Sequence, residues 1–328
     1  MIDKKEYGGY LPLELAKGEP YYQTNAKYEV MALNSGRGAI ICALKDFKPK
    51  KIYIPYYNCL SCTTAILNTD IDYQYYFIDH DMMPLDVKLK KDEILFWINY
   101  YGNASEQNIN RIRQNYKNLI IDNTQAFFSE PIVDAYNCYS TRKFFGVNDG
   151  AYLIKNKINS KFYLDVDESH SRAIHLFKSI EQGTNAAYKE SLDNENAIND
   201  TVLFMSGLTN NILRSIDYDR VKTKRKANLL MLHSYLSQFN KFNVNLESNT
   251  HIAYPFLYGK EEIRNYLIEN RIYTPTWWKH VPEKCSYSQR ETELTKYMSF
   301  IPIDQRYDTI DMKDMADIII SKIGKRMR

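Results

Sequence analysis

Short apolar runs punctuate the first half of the chain at 51–55, 73–78, 94–98, 119–122, 136–139 and 151–154. Between them lie stretches with helical spacing of apolar positions, at 38–44, 59–67 and 106–116. Strand and helix in alternation predict a mostly parallel sheet covered on both faces by helices, an α/β architecture. From about 168 the pattern changes. Residues 170–194 and 218–240 read as two long helices rich in Lys, Arg, Glu and Leu, and Arg220–Lys226 within the second reads as a solvated face. After His251 short elements return at 253–258, 261–269, 297–301 and 312–323. The expected organisation is a large domain over 1–240, with an N-terminal arm, and a small C-terminal α+β domain over 241–328. No repeat, low-complexity tract or Pro/Gly-rich linker interrupts it.

In open sheets of this kind ligands sit beyond the carboxyl ends of the strands, so the polar residues that follow each run matter most. Three clusters stand there. Asn34-Ser35-Gly36-Arg37-Gly38-Ala39 opens a helix, with small residues that let backbone N–H groups approach an anion such as phosphate; Ser35 equally suits a helix N-cap. Leu119-Ile-Ile-Asp122-Asn-Thr-Gln125 ends a strand in a carboxylate. That group is either another helix cap or the partner of a protonated ring nitrogen. Ser140-Thr-Arg-Lys143-Phe144-Phe145 carries a lysine that is either a surface charge or an amine desolvated by Phe144. Burial would lower its pKa and let the neutral amine form a Schiff base with an aldehyde. A cofactor with an aldehyde, a phosphate tail and a ring nitrogen would use all three clusters, and pyridoxal phosphate has those parts.

Composition narrows the picture without adding chemistry. A formal net charge of +3 over 328 residues gives no bulk attraction for nucleic acid. No run reaches the ~18 apolar residues of a membrane span, and the N-terminus lacks a signal-peptide core. These features predict a soluble, cytoplasmic protein. Cys59 and Cys62 form a C-x-x-C pair with no second pair to complete a zinc site. They read as small side chains near a strand end or as a redox pair. The six histidines show no metal-ligand spacing, so no metal is expected. Trp277-Trp278 reads as small-domain packing or as the wall of a substrate entrance.

The motifs together resemble the DegT/DnrJ/EryC1/StrS family of sugar aminotransferases, of aspartate-aminotransferase-like fold type I. Asn34 to Ala39 is similar to the family's S-G-T-A-A phosphate segment, Ile54 to Cys59 to its V-P-x-x-T-F strand end, and Tyr100-Tyr101-Gly102 to its H-x-Y-G. Asp122 to Gln125 is similar to D-A-A-Q, and Ser140 to Gly150 to the segment that carries the cofactor-binding lysine. Met205-Ser206 resembles part of the N-x-R-M-S turn. The resemblance implies fold type I, with a large domain holding the mostly parallel sheet and a small C-terminal α+β domain. It implies Lys143 and Asp122 as catalytic residues, with Gln125 near the ring hydroxyl and Ser35, Gly36, Arg37 and Gly38 about the phosphate. The family's phosphate-contacting serine falls at Cys138, with Ser140 as substitute. Its ring-stacking aromatic falls at Cys59, with Tyr57 as candidate.

The implied activity is pyridoxal-5'-phosphate-dependent transfer of an amino group from glutamate or glutamine to a nucleotide-linked keto sugar, by a homodimer, for surface polysaccharide or related amino-sugar synthesis. A sugar dehydratase, or a non-catalytic member that binds the cofactor or a sugar, is the alternative. Family dehydratases replace the lysine with histidine.

Overall fold

The computed structural model describes residues 7–248, 251–259, 263–285 and 289–324. Its strands are β1 (Glu29–Leu33), β2 (Lys51–Pro55), β3 (Asp72–Tyr76), β4 (Glu93–Ile98), β5 (Leu119–Asp122), β6 (Tyr136–Ser140), β7 (Ala151–Lys155), β8 (Tyr254–Leu257) and β9 (Met298–Ile301). Its helices are α1 (Gly36–Phe47), α2 (Leu60–Leu67), α3 (Glu106–Asn115), α4 (Ile174–Gln182), α5 (Tyr188–Ala197), α6 (Gly207–Arg214), α7 (Tyr218–Leu236), α8 (Arg264–Glu269), α9 (Val281–Lys284), α10 (Arg290–Tyr297) and α11 (Thr309–Gly324). The expected helical stretch that begins at Glu261 starts outside the described residues. Among the described residues no helix is long and apolar enough to cross a membrane.

β1 to β7 form one sheet in the order β1-β7-β6-β5-β4-β2-β3, and only β7 runs against its neighbours. Every residue of the central strands β4, β5 and β6 is buried, as an apolar strand covered on both faces requires. Their register sets Ile98, Asp122 and Cys138 side by side, so the strand ends form one edge from which the polar loops depart. β8 and β9 make a separate antiparallel ribbon, β9 packing on α10 and β8 on α7, while α11 packs on α7 and α8. α7 joins the two bodies: Val221, Arg225, Asn228, Leu229, Leu232 and Leu236 form its buried stripe, and Asn228 Nδ2 donates to the carbonyls of Ile303, Asp304 and Tyr307.

Three elements differ from expectation. β1 was not among the expected runs; four of its five residues are apolar, but as an edge strand it buries only Leu33 fully. The helix expected over 170–194 is α4 and α5, parted at Gly183, whose φ of +84° leaves the helical region. α7 stops at Leu236 rather than Asn240 and passes into a short 3-10 turn.

Candidate active site

The sheet edge gathers the three polar clusters. Ser35 caps α1, its Oγ accepting from the Gly38 N–H at 3.0 Å, so its side chain completes the helix. Gly36 and Arg37 follow at the helix start, where N–H groups point outward. A Cβ placed on Gly36 would meet Thr124 Oγ1 at 3.6 Å and Ser140 Cβ at 3.9 Å. The helix start, Thr124 and Ser140 therefore lie together at the sheet edge, with the positive end of the helix dipole beside them. This arrangement suits a phosphate.

Asp122 ends β5, 5% exposed, and one carboxylate oxygen accepts from the Thr124 N–H at 2.8 Å. Burial pushes its pKa up to about 6; the Cys59 charge adds to that, while the Thr124 hydrogen bond and the Lys143 amine oppose it. A carboxylate raised mainly by burial gains from a cationic ligand, and a protonated ring nitrogen is such a group. Gln125 Oε1 accepts from the backbone N–H of Tyr101 at 2.7 Å, which holds Tyr101 at a φ of +62°. Thus Gln125 serves the loop after β4 as well as the site.

Lys143 closes the 3-10 turn after β6 and is exposed, so the expectation that Phe144 desolvates it is corrected. Side chains one residue apart diverge on such a turn. Phe144 and Phe145 enter an aromatic cluster with Phe127, Phe128 and Tyr218, while the amine turns outward. There it acts electrostatically on Asp122, Cys59 and Glu195. Burial pushes the Glu195 carboxyl up, but Arg142, Lys143 and Arg37 together hold it below its ordinary value.

The loop that follows is built on Asp149. Its buried carboxylate accepts from the Ser206 N–H at 2.8 Å, the Ser206 hydroxyl at 2.7 Å and the Thr209 hydroxyl, at the start of α6. Asn148 Nδ2 donates to the Ser169 carbonyl, and Asn194 Nδ2 to the Asn148 carbonyl. Gly150 has a φ of +115°, and a Cβ there would lie 2.4 Å from Thr141 Oγ1. Only glycine fits. The short Gly146–Gly150 loop is thus fixed by polar contacts rather than by glycine content.

Three sequence-derived assignments change, and for Trp277-Trp278 the packing reading is the one seen. Arg37 directs its guanidinium to Asp200, at 3.3 Å, and to the Ile198 carbonyl, so what it offers at the α1 start is its backbone. Tyr57 is fully buried, its hydroxyl 2.7 Å from that of Tyr101 and its ring between Tyr100 and Trp278. Cys138 packs inside the sheet core, burial raising its thiol; Ser140, two residues on along the same face, is also buried and meets the α1 start at Gly36. Trp277 stacks on Phe300 with centroids 3.7 Å apart and Trp278 meets Tyr57 edge-on, which makes both part of the packing between the two bodies.

Beside Lys143 opens a cavity of about 490 Å³, with Arg142, His175, Glu195, Arg225 and Arg306 in its wall. Arg142 pairs with Glu195, and Arg306 with Asp304. Arg225 has no carboxylate partner among the described residues. It donates to Gln305 Oε1 and to the carbonyls of His251 and Ile252, lies over the Phe144 ring at 4.5 Å, and leaves Nε without an acceptor. Burial pulls its pKa down to about 10. Sequence reasoning missed it by taking 220–226 as a solvated face. The signal was its spacing: Arg225 sits four residues from both Val221 and Leu229, on the buried stripe.

No family model matches the chain, and no curated protein matches it. Solved structures do. The fold is that of fold-type-I pyridoxal-phosphate enzymes. A DegT/DnrJ/EryC1/StrS aminotransferase from Brucella abortus superposes with a TM-score of 0.59 at 12% identity, covering 89% of this chain and 85% of its own. The sugar aminotransferase CalS13 from Micromonospora echinospora gives 0.60 at 12%, covering 89% and 87%. The E. coli GDP-4-keto-6-deoxy-D-mannose-3-dehydratase with bound hydrated PLP gives 0.59 at 12%, covering 88% and 87%.

Proposed function

We propose that the chain is a pyridoxal-phosphate-dependent aminotransferase. In this reading it moves an amino group from glutamate or glutamine to a keto sugar, nucleotide-linked, for surface polysaccharide or related amino-sugar synthesis, and works as a cytoplasmic homodimer. The observation that carries the reading is the convergence of Lys143, Asp122 and the α1 start on one sheet edge. The aminotransferases that share the fold support it.

The residues present fit the cofactor: the start of α1 beside Thr124 and Ser140 for its phosphate, and a buried carboxylate for its ring nitrogen. When bound, it supplies an aldehyde and a ring that takes up the electron pair left at the substrate carbon. Asp122 keeps a positive charge stable beside it. Lys143 Nζ accepts and returns the proton that moves during transfer, and its exposure lets it reach both positions. Glu195 and Arg142 hold the wall beside that amine. Arg225 supplies an uncompensated positive charge for an anionic substrate group, the donor's carboxylate.

Protein purified with added pyridoxal phosphate should carry a visible absorption band that Lys143→Ala lacks and that glutamate or glutamine bleaches. Colourless protein that takes up none of the cofactor overturns the assignment. A stable band that neither amino acid bleaches leaves a binder rather than a transferase.

A further inference from the structure

Cys59 and Cys62 have no part in the transfer chemistry above, yet they lie within electrostatic range of Asp122. Cys59 is the N-cap residue of α2, and Cys62 follows in the first turn, its N–H 3.1 Å from the Cys59 carbonyl. Residues so placed bring their Cα atoms within roughly the 4.4–6.8 Å that a disulfide spans. Both thiols are free and partly exposed, whereas Cys42, Cys138 and Cys285 are buried.

The surroundings divide the pair into unlike halves. Hydrogen bonding from the Cys62 thiol, which outweighs burial, and from Ser61, whose Oγ is 3.0 Å from the Cys59 sulfur, pulls the Cys59 thiol down to about 5. Lys143 on the turn after β6 adds to this, and His280 ahead of α9 lies within electrostatic range. Cys62 is held up, first by that same hydrogen bond and then by burial and the Asp122 charge, although Arg37 opposes them. One sulfur is a thiolate at neutral pH and the other keeps its proton.

We propose that Cys59 and Cys62 form a dithiol–disulfide couple at the start of α2, with Cys59 as the attacking and Cys62 as the resolving sulfur, exchanging with small-molecule disulfides. The Cys59 thiolate attacks one sulfur of a disulfide RSSR, forming a mixed disulfide and expelling RS⁻. Cys62 then attacks the Cys59 sulfur, and its proton leaves with the second RS group as RSH. Two electrons pass from the dithiol to the reagent, and one intramolecular S–S bond forms. Oxidation also removes the Cys59 charge that raises Asp122, so the couple reports directly to the carboxylate of the site. That last link rests on the proposed function; the exchange chemistry does not.

The test uses the full chain equilibrated with reduced and oxidised glutathione, followed by intact mass and peptide mapping. Wild type should lose two hydrogens, with the new bond linking Cys59 to Cys62, and Cys62→Ser should instead retain one glutathionyl group on Cys59. At pH 6, iodoacetamide should alkylate wild-type Cys59 at least about tenfold faster than it alkylates glutathione. Wild-type protein that keeps both thiols under oxidised glutathione, or whose Cys59 alkylates no faster than glutathione, overturns the proposal whether or not the variant folds. Because neither readout uses pyridoxal phosphate, failure of the aminotransferase assignment leaves this result standing.

Discussion

Asp122 should make the cofactor-free protein less stable than it would be without the carboxylate. Its acidity is moved from the ordinary 3.8 to about 6, chiefly by burial. Well below pH 3.8, at roughly pH 2.5, folded and unfolded chains both hold the proton. As pH rises through the window between 3.8 and 6 the unfolded chain releases its proton first, so the folded state loses relative stability. Two units at about 1.4 kcal/mol each amount to about 3 kcal/mol above pH 7. Asp122→Asn keeps an oxygen to accept from the Thr124 N–H and carries no charge. In urea unfolding of cofactor-free protein the variant should be more stable by about 1.6 kcal/mol at pH 5, widening to about 3 kcal/mol at pH 8. Cofactor affinity should move the other way, falling roughly tenfold or more as a charge-assisted bond is lost. A stability gap below about 1 kcal/mol and flat from pH 5 to 8 would refute the burial argument.

Asp149→Ala removes three hydrogen bonds at the start of α6 and should cost about 3 kcal/mol in chemical denaturation; a loss under about 1 kcal/mol would show that the loop is held elsewhere. Tyr57→Phe should lower stability by about 0.5–1.5 kcal/mol through the lost Tyr101 contact while leaving cofactor titration unchanged, and weakened cofactor binding would return the ring to the site. Arg225→Met should raise the KM for the amino donor on the order of tenfold with kcat nearly constant, an unchanged KM removing the residue from substrate binding.

The sheet was legible because its central strands are apolar on both faces, so β2 and β5 appear as uninterrupted runs with the expected ends. Asp122, Ser140 and Lys143 were legible as the polar residues that terminate such runs. What the chain order concealed was direction. Phe144 adjoins Lys143 in sequence, but the turn sends one ring into the aromatic cluster and the amine to solvent. Tyr57 and Cys138 occupy positions where a ligand contact was expected, yet both side chains are packed in the core. Arg225 was hidden for the opposite reason: a basic run masks one inward charge unless the helical period is followed through it.

Lys143 exposure and Asp149 burial are two sides of one arrangement. An amine held dry beside Phe144 would need its own compensation in the ligand-free fold. Instead the turn is anchored from below, where Asp149, Asn148 and Gly150 tie it to α6 and to Ser169, and the amine is left in water. Its charge is balanced at a distance by Asp122, Glu195 and the Cys59 thiolate, which all register its presence. Rigidity therefore resides in the backbone and reactivity in a solvated side chain. On the proposed reading, the ligand seated against Asp122 is what excludes water from Lys143, so the amine becomes desolvated only when there is a reaction for it to serve.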